Sequence, residues 1–485
     1  MAAPQGPHVV VVGAGISGLA AALALRRGGP AGLRITVLEA SPGLGGKLRT
    51  SEVAGVPVDE GAEAFLARRP EATLLAGSVE LADELVSPVT TAASVWTRGR
   101  LRPLPTGTLL GVPTDVAAVA RSGVLTRRGA ARLPLDRLLP GRPVPGDVAV
   151  GRYVGNRLGR EVVDRLVDPL LGGVYAGRAD LLSLDATIPA LTAVARRGGS
   201  LLRGARAAGG PAAPGLAGPV FSTLPGGLGR LATAVATASG AAVRLDTTVR
   251  ELTRGPAGEW VITLGAPGAT GAPERLRADA VVLAVPAAPA ARLLGPVMPA
   301  AAAELAAIDY ASVAIVTLAY AGVPAPRGSG FLVPAIDGRL TKAATFATAK
   351  WAHLAAAAPG FAIVRCSVGR YGDAADLQRD DAELVTTVAA ELREAVGLAA
   401  RPVESRVTRW GGALPQYTVG HLDRVTRIRS AVDAERGLAV CGAAYDGVGI
   451  PACIGSAQRA AREILRWLSP EGTETKRGQD PAKFP

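Results

Sequence analysis

The chain has 485 residues, of which 48% are hydrophobic and 19% charged, and its formal net charge is +12. This length suffices for two or three domains with sizeable cores, and no run approaches the roughly 18 apolar residues of a membrane-spanning helix. The three cysteines and three histidines lack metal-type spacing, which argues against a metalloenzyme. Because no signal-peptide pattern precedes the first apolar run, we expect a cytoplasmic protein.

Most of the excess positive charge falls in the middle of the chain. Residues 94–220 contain 18 arginines against 8 acidic residues. Such a region attracts nucleic acid, acidic lipid headgroups or an anionic small substrate. Aromatic residues make up only 4% and no nucleic-acid-binding module is visible, so we expect no nucleic-acid partner. The alternative is a solvated surface that reflects an arginine-biased composition.

The opening forty residues predict a β-α-β unit. Residues 8–12 form a continuous apolar run, which is typical of a strand buried on both faces of a parallel sheet. The alanine- and leucine-rich stretch 16–27 favours a helix, and residues 34–39 favour the next strand. Further helices are predicted at 70–86, 113–122 and 151–171. The low-complexity stretch 204–219 is typical of a mobile surface loop.

From residue 221 the pattern changes to a turn, one helix and a series of strands. The strands are predicted at 241–252, 259–264, 277–286, 308–320, 328–334 and 361–369. A last strand and a glycine-rich turn at 438–451 lead into a helix at 452–468. The polar tail, residues 469–485, is predicted to be disordered. Helices and strands in this arrangement indicate an α/β fold.

Between the first strand and the first helix, Gly13, Gly15 and Gly18 form the pattern G-x-G-x-x-G. Glycines here permit a tight turn, close approach of a pyrophosphate and close helix–strand packing, while the helix N-terminus offers unpaired N–H groups to the phosphates. Glu39 ends the second strand 21 residues after Gly18, where a carboxylate can bind a ribose diol and repels the 2′-phosphate of NADP. The alternative is a glycine-rich turn that serves packing alone.

The residues after Glu39 distinguish FAD from NAD. A second glycine pair, Gly45–Gly46, is followed by the cationic Lys47. This extension resembles one found in flavoproteins of the amine oxidase superfamily, where it follows the diphosphate toward the isoalloxazine ring. Val249 lies at a predicted strand edge, where such enzymes hold adenine through backbone groups. Together these features favour FAD.

The C-terminal segment 438–461 repeats the order of strand, glycine turn and helix. A second helix N-terminus near the isoalloxazine ring can stabilise negative charge on a reduced flavin. We therefore expect both ends of the chain to meet on one cofactor. The alternative is a tight C-terminal turn without a ligand.

Five segments, taken in order, resemble a single family of flavoproteins. They are VDPLLGGVYAGRADLLS (167–183), FSTLPGGLGRL (221–231), ATAKWAH (347–353), RWGGALPQYTVGH (409–421) and AYDGVGIPACI (444–454). From residue 8 to 465 the chain resembles the oxygen-dependent protoporphyrinogen/coproporphyrinogen III oxidases, in particular the bacterial coproporphyrinogen III oxidases. It departs from the family at Ala352, where proline is usual.

The resemblance implies an α/β fold with a Rossmann-like FAD-binding domain of the amine oxidase/two-dinucleotide-binding type, a mixed-sheet substrate domain and a helical insertion. The FAD-binding domain takes the segments 1–93, 221–290 and 431–468. Residues 94–220 form the helical, basic insertion that faces the substrate or a membrane. Residues 291–430 form the substrate-binding domain.

Carried over position by position, the resemblance implies FAD contacts in six parts of the chain. They are Gly13, Ala14, Gly15, Ile16, Ser17 and Gly18; Glu39, Ala40, Gly46 and Lys47; Gly61, Ala62, Glu63 and Ala64; Val249; Trp410; and Val448, Gly449 and Ile450. The sequence GAEA at 61–64 stands where a Gly-Pro-Asp/Asn-Ser type is common, which leaves side-chain contacts of Glu63 open. The alternative for Trp410 is that it is a tryptophan of the hydrophobic core. No metal is implied.

The same resemblance points to a substrate pocket. Gly173 and Tyr175 lie in the segment that approaches the substrate in the family. The arginine that some eukaryotic members use for a substrate propionate has no direct counterpart here, and Arg98, Arg100 or Arg102 can take its place. The alternative for these arginines is a solvated surface.

The implied reaction is the oxidation of a porphyrinogen to a porphyrin in haem biosynthesis, in three two-electron steps with O2 as acceptor and hydrogen peroxide as by-product. The basic middle segment favours coproporphyrinogen III, with four propionates, over protoporphyrinogen IX, with two. The expected partners are the porphyrinogen, O2, a downstream ferrochelatase and a membrane surface contacted peripherally. Two alternatives remain: an amine oxidase or desaturase on the same scaffold, and a non-catalytic flavin-binding scaffold at a membrane.

Overall fold

The structure is a computed structural model that describes residues 6–138, 141–209, 219–265 and 273–469. Most of the predicted mobile loop and of the predicted disordered tail therefore lies outside the described residues. The strands are β1 (His8–Val12), β2 (Arg34–Leu38), β3 (Thr50–Val53), β4 (Val56–Asp59), β5 (Phe65–Leu66), β6 (Ala93–Thr97), β7 (Arg100–Pro103), β8 (Thr108–Leu109), β9 (Val112–Pro113), β10 (Phe221–Ser222), β11 (Ala242–Arg244), β12 (Val249–Arg254), β13 (Trp260–Leu264), β14 (Arg275–Ala278), β15 (Ala280–Leu283), β16 (Tyr310–Ala321), β17 (Gly330–Leu332), β18 (Thr341–Phe346), β19 (Phe361–Val368), β20 (Glu404–Pro415) and β21 (Leu438–Val440). The α-helices are α1 (Ile16–Gly28), α2 (Pro70–Gly77), α3 (Val116–Ser122), α4 (Arg127–Arg132), α5 (Val150–Leu158), α6 (Arg160–Val162), α7 (Asp168–Tyr175), α8 (Leu184–Thr187), α9 (Thr192–Arg197), α10 (Leu201–Ala208), α11 (Gly229–Ser239), α12 (Ala287–Leu294), α13 (Pro299–Ala306), α14 (Ala347–Lys350), α15 (Ala352–Ala357), α16 (Asp381–Val396), α17 (His421–Asp433) and α18 (Ile450–Leu468).

A five-stranded parallel sheet contains strands from both ends of the chain. Its order is β11-β2-β1-β15-β21, so β1 is the central strand. Val9 lies opposite Ile35 of β2 on one side and Ala280 of β15 on the other. The consecutive valines of β1 are all buried, which is the pattern of a strand whose two faces are both covered. The predicted β-α-β unit is confirmed.

Helices α1, α11 and α18 cover one face of this sheet, and α1 packs along α18. Small residues on both helices, such as Ala20 and Ala457, are buried between them and allow a close approach. The other face is covered by the small sheet β12-β13-β14 together with α12, α13 and α17. Packing of α1 against α18 brings the two ends of the chain together beside β1.

A seven-stranded mixed sheet, in the order β20-β16-β19-β18-β17-β6-β7, forms a second layer. Strand β6 pairs with β17 in parallel, and the other neighbouring pairs are antiparallel. The segment 94–220, expected to be a helical, basic insertion, begins with two strands that were not predicted, β6 and β7. Strand β7 pairs with β6 across a short turn, whereas β6 pairs with β17 more than 200 positions away, a pairing that no local pattern reveals. Strands β18 and β20 were also not predicted.

Helices α3 to α10 pack around a separate core that includes Leu166, Leu171 and Leu201. The helix predicted at 113–122 begins at Val116 instead, because the Asp115 carboxylate caps it by accepting hydrogen bonds from the following N–H groups. The helix predicted at 151–171 is divided: α5 ends at Leu158, and a second stretch from α6 to α7 contains a π-helical turn at Val163–Val167. Within the described ranges, no helix is both long and apolar enough to cross a membrane.

Two smaller differences concern helix ends. The helix predicted at 70–86 ends at Gly77, and only a short 3-10 turn, Ala82–Glu84, follows it. The loop predicted from residue 204 begins later, because α10 continues to Ala208 after a Ser200 cap whose hydroxyl accepts from the N–H of Arg203. Neither difference affects the strand order of the two sheets.

Candidate functional site

The turn between β1 and α1 is shaped by glycines that have no room for a side chain. A Cβ at Gly18 would lie 1.9 Å from the carbonyl oxygen of Gly13, and a Cβ at Gly13, where φ is +104°, would lie 2.7 Å from the carbonyl oxygen of Ala284. Gly15 differs, because a Cβ there would meet no atom of the described residues within 4 Å, its chain neighbours apart. The turn therefore packs tightly on both sides and leaves open space at Gly15, in front of the α1 N-terminus. That space suits a diphosphate.

The Glu39 carboxylate lies beside this turn. Its Oε2 accepts a hydrogen bond from the N–H of Ala14 (2.8 Å), and its Oε1 accepts from the N–H (2.9 Å) and the hydroxyl (2.8 Å) of Ser41. Ala40, between them, is exposed. These contacts fix the carboxylate at the end of β2, where the predicted ribose site lies.

The second glycine pair folds back onto the first turn. The N–H of Gly45 donates to the carbonyl oxygen of Ala14 (2.9 Å), and a Cβ at Gly46 would lie 3.3 Å from the Cα of Gly15. Lys47, which follows, is exposed to solvent, yet desolvation by the surrounding protein lowers the pKa of its ammonium group. The extension thus continues the open space at Gly15 toward Lys47.

The next predicted contact segment, 61–64, packs on Lys47. The N–H of Ala62 donates to the carbonyl oxygen of Lys47 (3.2 Å), and a Cβ at Gly61 would lie 2.1 Å from that same oxygen. Trp410 of β20 covers Gly61 from the other side: its Nε1 donates to the carbonyl oxygen of Glu60 (2.9 Å), and its ring would lie 3.4 Å from a Cβ at Gly61. Trp410 thus helps to fix the backbone of residues 60–61.

The C-terminal turn reaches the same place. A Cβ at Gly442 would lie 3.9 Å from the Ser17 hydroxyl, and Gly449 is the residue before the first turn of α18. The buried Cys453 thiol lies against the Ser17 hydroxyl and interacts electrostatically with Lys47; burial raises the pKa of this thiol to about 11. The structure thus brings the N-terminal turn, the Lys47 extension and the start of α18 together, as predicted.

Val249 lies close to the end of β2, on the side where the sequence predicts the adenine. The N–H of Thr247 donates to the carbonyl oxygen of Glu39 (2.8 Å), so the chain entering β12 runs alongside the end of β2. Val249 itself is buried, and its carbonyl oxygen accepts a hydrogen bond from Nη2 of Arg292 (3.0 Å). Its carbonyl group is therefore already paired within the protein.

The Glu63 carboxylate is paired with two cations that the sequence analysis did not select. It accepts from Nζ of Lys350 and from Nη1 of Arg365, and Nη2 of Arg365 also donates to the carbonyl oxygen of Gly61 (2.8 Å). Burial alone would raise the pKa of Glu63, but attraction by Lys350 and Arg365 outweighs it and lowers the pKa to about 2. We call Glu63, Lys350 and Arg365 the Glu63 cluster. Lys350 lies in segment 347–353, and the resemblance of this segment to the family was the signal in the sequence that could have identified it.

A water-sized internal cavity lies behind the Glu63 cluster. Asp59, Glu63, His353 and Arg365 contribute polar groups to its wall. Burial raises the pKa of Asp59 to about 6, although Arg365 and a hydrogen bond from Thr50 oppose the shift. Two neighbouring acids, Asp59 and Glu63, therefore have pKa values displaced in opposite directions.

The three residues predicted to line the substrate pocket have different surroundings. Gly173 on α7 faces β17, since a Cβ there would lie 3.6 Å from Cδ2 of Leu332. Tyr175 is instead buried against Tyr417, with ring centroids 5.6 Å apart, and burial raises its pKa to about 12. The Arg98 guanidinium donates to the carbonyl oxygens of Val124 (2.7 Å) and Gly123 (2.5 Å), so it holds the β6–β7 turn to the helices.

An open cavity of about 690 Å³ lies between the α6–α7 region and the end of the seven-stranded sheet. Acidic residues and arginines alternate on its wall, and several form ion pairs with one another. Two of its arginines donate to main-chain carbonyls: Arg178 Nε to Tyr371 (3.1 Å) and Arg370 Nη2 to Val333 (3.1 Å). Among the described residues, no group of three or more His, Cys, Asp or Glu side chains is placed to hold a metal ion.

Residues 16–465 match the family described as flavin containing amine oxidoreductase. The chain is 38% identical over 460 residues to a coproporphyrinogen III oxidase of Mycobacterium tuberculosis, covering 94% of this chain and 97% of the relative. A coproporphyrinogen III oxidase of Bacillus subtilis is 31% identical, with 95% and 98% covered. A solved structure from Exiguobacterium sp. 255-15, named provisionally as a protoporphyrinogen oxidase, aligns with a TM-score of 0.84 at 32% identity, covering 96% of this chain and 99% of that one.

These similarities confirm the predicted α/β flavoprotein fold and the predicted cofactor, FAD. The residues around Gly15 and Lys47 fit that cofactor, because they form an open, glycine-lined path with a helix N-terminus at one end and an ammonium group further along. The chain belongs to the flavin containing amine oxidoreductase family and is an FAD-dependent oxidoreductase.

Proposed function

We propose that this protein oxidises coproporphyrinogen III to coproporphyrin III in haem biosynthesis, with O2 as electron acceptor. The observation that carries the proposal is the match, over nearly the whole of both chains, to the M. tuberculosis coproporphyrinogen III oxidase. The converging glycine turns support it, since they leave space at Gly15 that suits the diphosphate of FAD.

When bound, FAD supplies the two-electron oxidation chemistry. The chain's own residues hold it: the Gly13–Gly18 turn at the diphosphate, Glu39 at the ribose, Lys47 and residues 61–64 further along, and Val448–Ile450 at the start of α18. No side chain is assigned as a general acid or base. The residues of the site bind and orient the two reactants and exclude water between them.

The Glu63 cluster has a positioning role in this proposal. Arg365 donates both to the Glu63 carboxylate and to the carbonyl oxygen of Gly61, so it holds the segment 61–64 at two points. Lys350 holds the same carboxylate from α14. Because all three side chains are largely buried, the segment is fixed before any ligand arrives.

The preference of the protein for one of two porphyrinogens depends on how its arginines bind the propionates of the substrate. Coproporphyrinogen III carries four propionates and protoporphyrinogen IX two, and arginine binds carboxylates through charge-assisted hydrogen bonds. We propose that the substrate enters between α7 and β17, where Gly173 faces Leu332, and that arginines of the adjoining cavity, such as Arg178 and Arg370, bind propionates. The provisional name of the Exiguobacterium structure favours protoporphyrinogen IX as the second candidate.

Anaerobic mixing of the FAD-loaded enzyme with coproporphyrinogen III tests the reaction, because loss of the visible absorption of oxidised flavin reports electron transfer directly. A parallel aerobic assay follows porphyrin fluorescence for both porphyrinogens. We expect bleaching with coproporphyrinogen III and a higher kcat/KM for it than for protoporphyrinogen IX. Faster turnover of protoporphyrinogen IX would reverse the substrate assignment, and no bleaching with either would reject the function.

Oxygen and a downstream enzyme complete the proposal. We propose that O2 accepts the electrons, so that three O2 are consumed and three hydrogen peroxide released for each porphyrin formed. An oxygen electrode and a peroxide assay measure this ratio, and a ratio near zero would point to another acceptor. Since the product is a free porphyrin, a ferrochelatase is the class of enzyme that would use it.

A peripheral membrane contact is also proposed, for a protein in the cytoplasm. Leu138 is 82% exposed and Leu135 is exposed beside it, next to the exposed Arg127, Arg132 and Arg137. Apolar side chains flanked by arginines suit an anionic lipid surface. Sedimentation with phosphatidylglycerol vesicles should fall in the double variant Leu135→Ser/Leu138→Ser. Leu74→Ser, at another exposed leucine on α2, serves as control and should sediment like the wild type.

A further inference from the structure

One tyrosine from outside the C-terminal turn spans that turn. The turn, residues 442–449, links β21 to α18 and includes the proposed flavin contacts Val448 and Gly449. The hydroxyl of Tyr417 donates to the carbonyl oxygen of Ala443 (2.5 Å) and accepts from the N–H of Gly447 (2.8 Å). A single side chain therefore satisfies a backbone acceptor at the beginning of the turn and a backbone donor near its end.

The ring of Tyr417 is itself fixed. Only 2% of the residue is exposed, and its ring stacks on His421 with centroids 3.8 Å apart at 15°. Burial lowers the pKa of His421 to about 4, so this histidine is neutral at physiological pH and the stack carries no charge. Tyr175 contacts the ring from α7, and the amide of Gln416 donates to the carbonyl oxygen of Tyr175 (2.8 Å).

The other side of the turn is held by charge. The Asp446 carboxylate accepts from Nη2 of Arg429 (2.6 Å) and of Arg459 (2.5 Å), both on helices next to the turn. These pairs are partly exposed, whereas the Tyr417 hydroxyl is enclosed. The buried tyrosine contacts are therefore the more rigid of the two attachments.

We propose that Tyr417 is a positioning residue for FAD. Its hydroxyl sets the path of residues 443–447, and so the place from which Val448 and the α18 N-terminus meet the cofactor. Through Tyr175 it also ties the turn to α7. The inference rests on the proposed function only in taking Val448–Ile450 as flavin contacts.

Tyr417→Phe tests the inference, because it removes the hydroxyl and keeps the ring. Tyr320→Phe is the matched control: Tyr320 is fully buried on β16, and its hydroxyl has no hydrogen-bond partner within the part of the chain that is described. The first measurement is the Kd of the apoprotein for FAD. The second is the visible absorption and circular dichroism of the bound flavin, and the third is the unfolding temperature of the apoprotein.

For Tyr417→Phe we expect the Kd for FAD to rise about tenfold, as befits two lost hydrogen bonds, with altered visible circular dichroism. For Tyr320→Phe we expect no change in either. An unchanged Kd and flavin spectrum in Tyr417→Phe would overturn the proposal, even with a lower apoprotein unfolding temperature, because the hydroxyl would then serve folding alone. Should that apoprotein not refold, the rate of FAD release from purified holoenzyme replaces the Kd, and a wild-type rate would be equally adverse.

These readouts use no porphyrinogen. A wild-type enzyme that binds FAD tightly but oxidises neither porphyrinogen would reject the proposed function and leave the role of Tyr417 intact. A Tyr417→Phe variant with wild-type FAD binding and normal porphyrinogen turnover would reject the role of Tyr417 and leave the proposed function intact.

Discussion

The Gly13–Gly18 turn and the Glu63 cluster lie on either side of the Lys47 extension, and different forces hold them in place. The turn is built by the absence of side chains: backbone approaches backbone where a Cβ would collide. The Glu63 cluster is built by charge, with one carboxylate between two cations that are distant in sequence. A change of volume should therefore disturb the first region, and a change of charge or pH the second.

The largest loss of FAD affinity is expected from Gly18→Ala, since a Cβ there would lie 1.9 Å from the Gly13 carbonyl oxygen. The turn must move, so we expect the apoprotein to lose about 2 kcal/mol of unfolding free energy and its affinity for FAD to fall about 100-fold or more. Urea unfolding of the apoprotein and titration with FAD measure the two quantities.

Gly15→Ala is the matched variant, because the added Cβ would have free space around it in the part of the structure that is described. Here the apoprotein should keep its stability within about 0.5 kcal/mol, while the methyl group enters the space assigned to the diphosphate and weakens FAD binding about tenfold. If both variants lose the same apoprotein stability, or if Gly15→Ala binds FAD like the wild type, the open space at Gly15 is not the diphosphate site.

A comparable but purely electrostatic effect is expected from Glu63→Gln. The substitution keeps the shape and leaves Lys350 and Arg365 as buried cations without their carboxylate, which costs about 3 kcal/mol of unfolding free energy at pH 7. Glu84→Gln is the control, since its pair with Arg230 is exposed and should not change stability measurably. Equal unfolding midpoints in urea for the two variants would contradict a structural role for the cluster.

The two regions also differ in what could be read from the sequence. The turn and Glu39 follow one another within about thirty residues, and their spacing alone specifies strand, turn and helix. Lys350 and Arg365 pair with Glu63 across 287 and 302 positions, and β6 pairs with a strand more than 200 positions away. Such contacts exist only once both sheets have formed. Short-range patterns therefore predicted the FAD fold and missed the cations behind residue 63.

Tyr175 and Arg98 illustrate the same limit at single positions. The resemblance to the family placed both near the substrate, yet the ring of Tyr175 packs against Tyr417 and the guanidinium of Arg98 donates to the Gly123 carbonyl oxygen. The direction of a side chain depends on the register of its element against its neighbours. Sequence resemblance gives the segment and leaves that register open.

The two neighbouring acids, Glu63 and Asp59, change the stability of the protein with pH in opposite directions. Glu63 has a folded pKa of about 2 against an ordinary value of 4.5, so its contribution is present above pH 4.5 and is lost as the pH falls toward 2. Asp59 has a folded pKa of about 6 against 3.8, so the folded state binds the extra proton and stability falls as the pH rises from about 4 to 6.

Asp59→Asn should therefore stabilise the protein above pH 6, by about 1 to 2 kcal/mol. The asparagine oxygen can still accept the hydrogen bonds from the Thr50 hydroxyl and the N–H of Leu228. Urea unfolding at several pH values measures this effect. A variant that is less stable than the wild type at pH 8, or that keeps the wild-type slope between pH 4 and 6, would show that Asp59 is ionised without penalty in the folded protein.

The smallest effect is expected from substitution of Arg178 or Arg98, which concerns the substrate and not the cofactor. Arg178 reaches the open cavity and donates there to the Tyr371 carbonyl oxygen, whereas Arg98 is bound to two carbonyl oxygens of the helical region. Arg178→Ala should raise the KM for coproporphyrinogen III about fivefold with little change in kcat, since a propionate contact made equally in the ground state and the transition state affects binding alone. Arg98→Ala should lower the unfolding temperature and leave KM unchanged.

Steady-state kinetics on both variants test this prediction. A KM effect confined to Arg98→Ala would show that Arg98 lines the substrate pocket and that the 690 Å³ cavity does not bind the substrate.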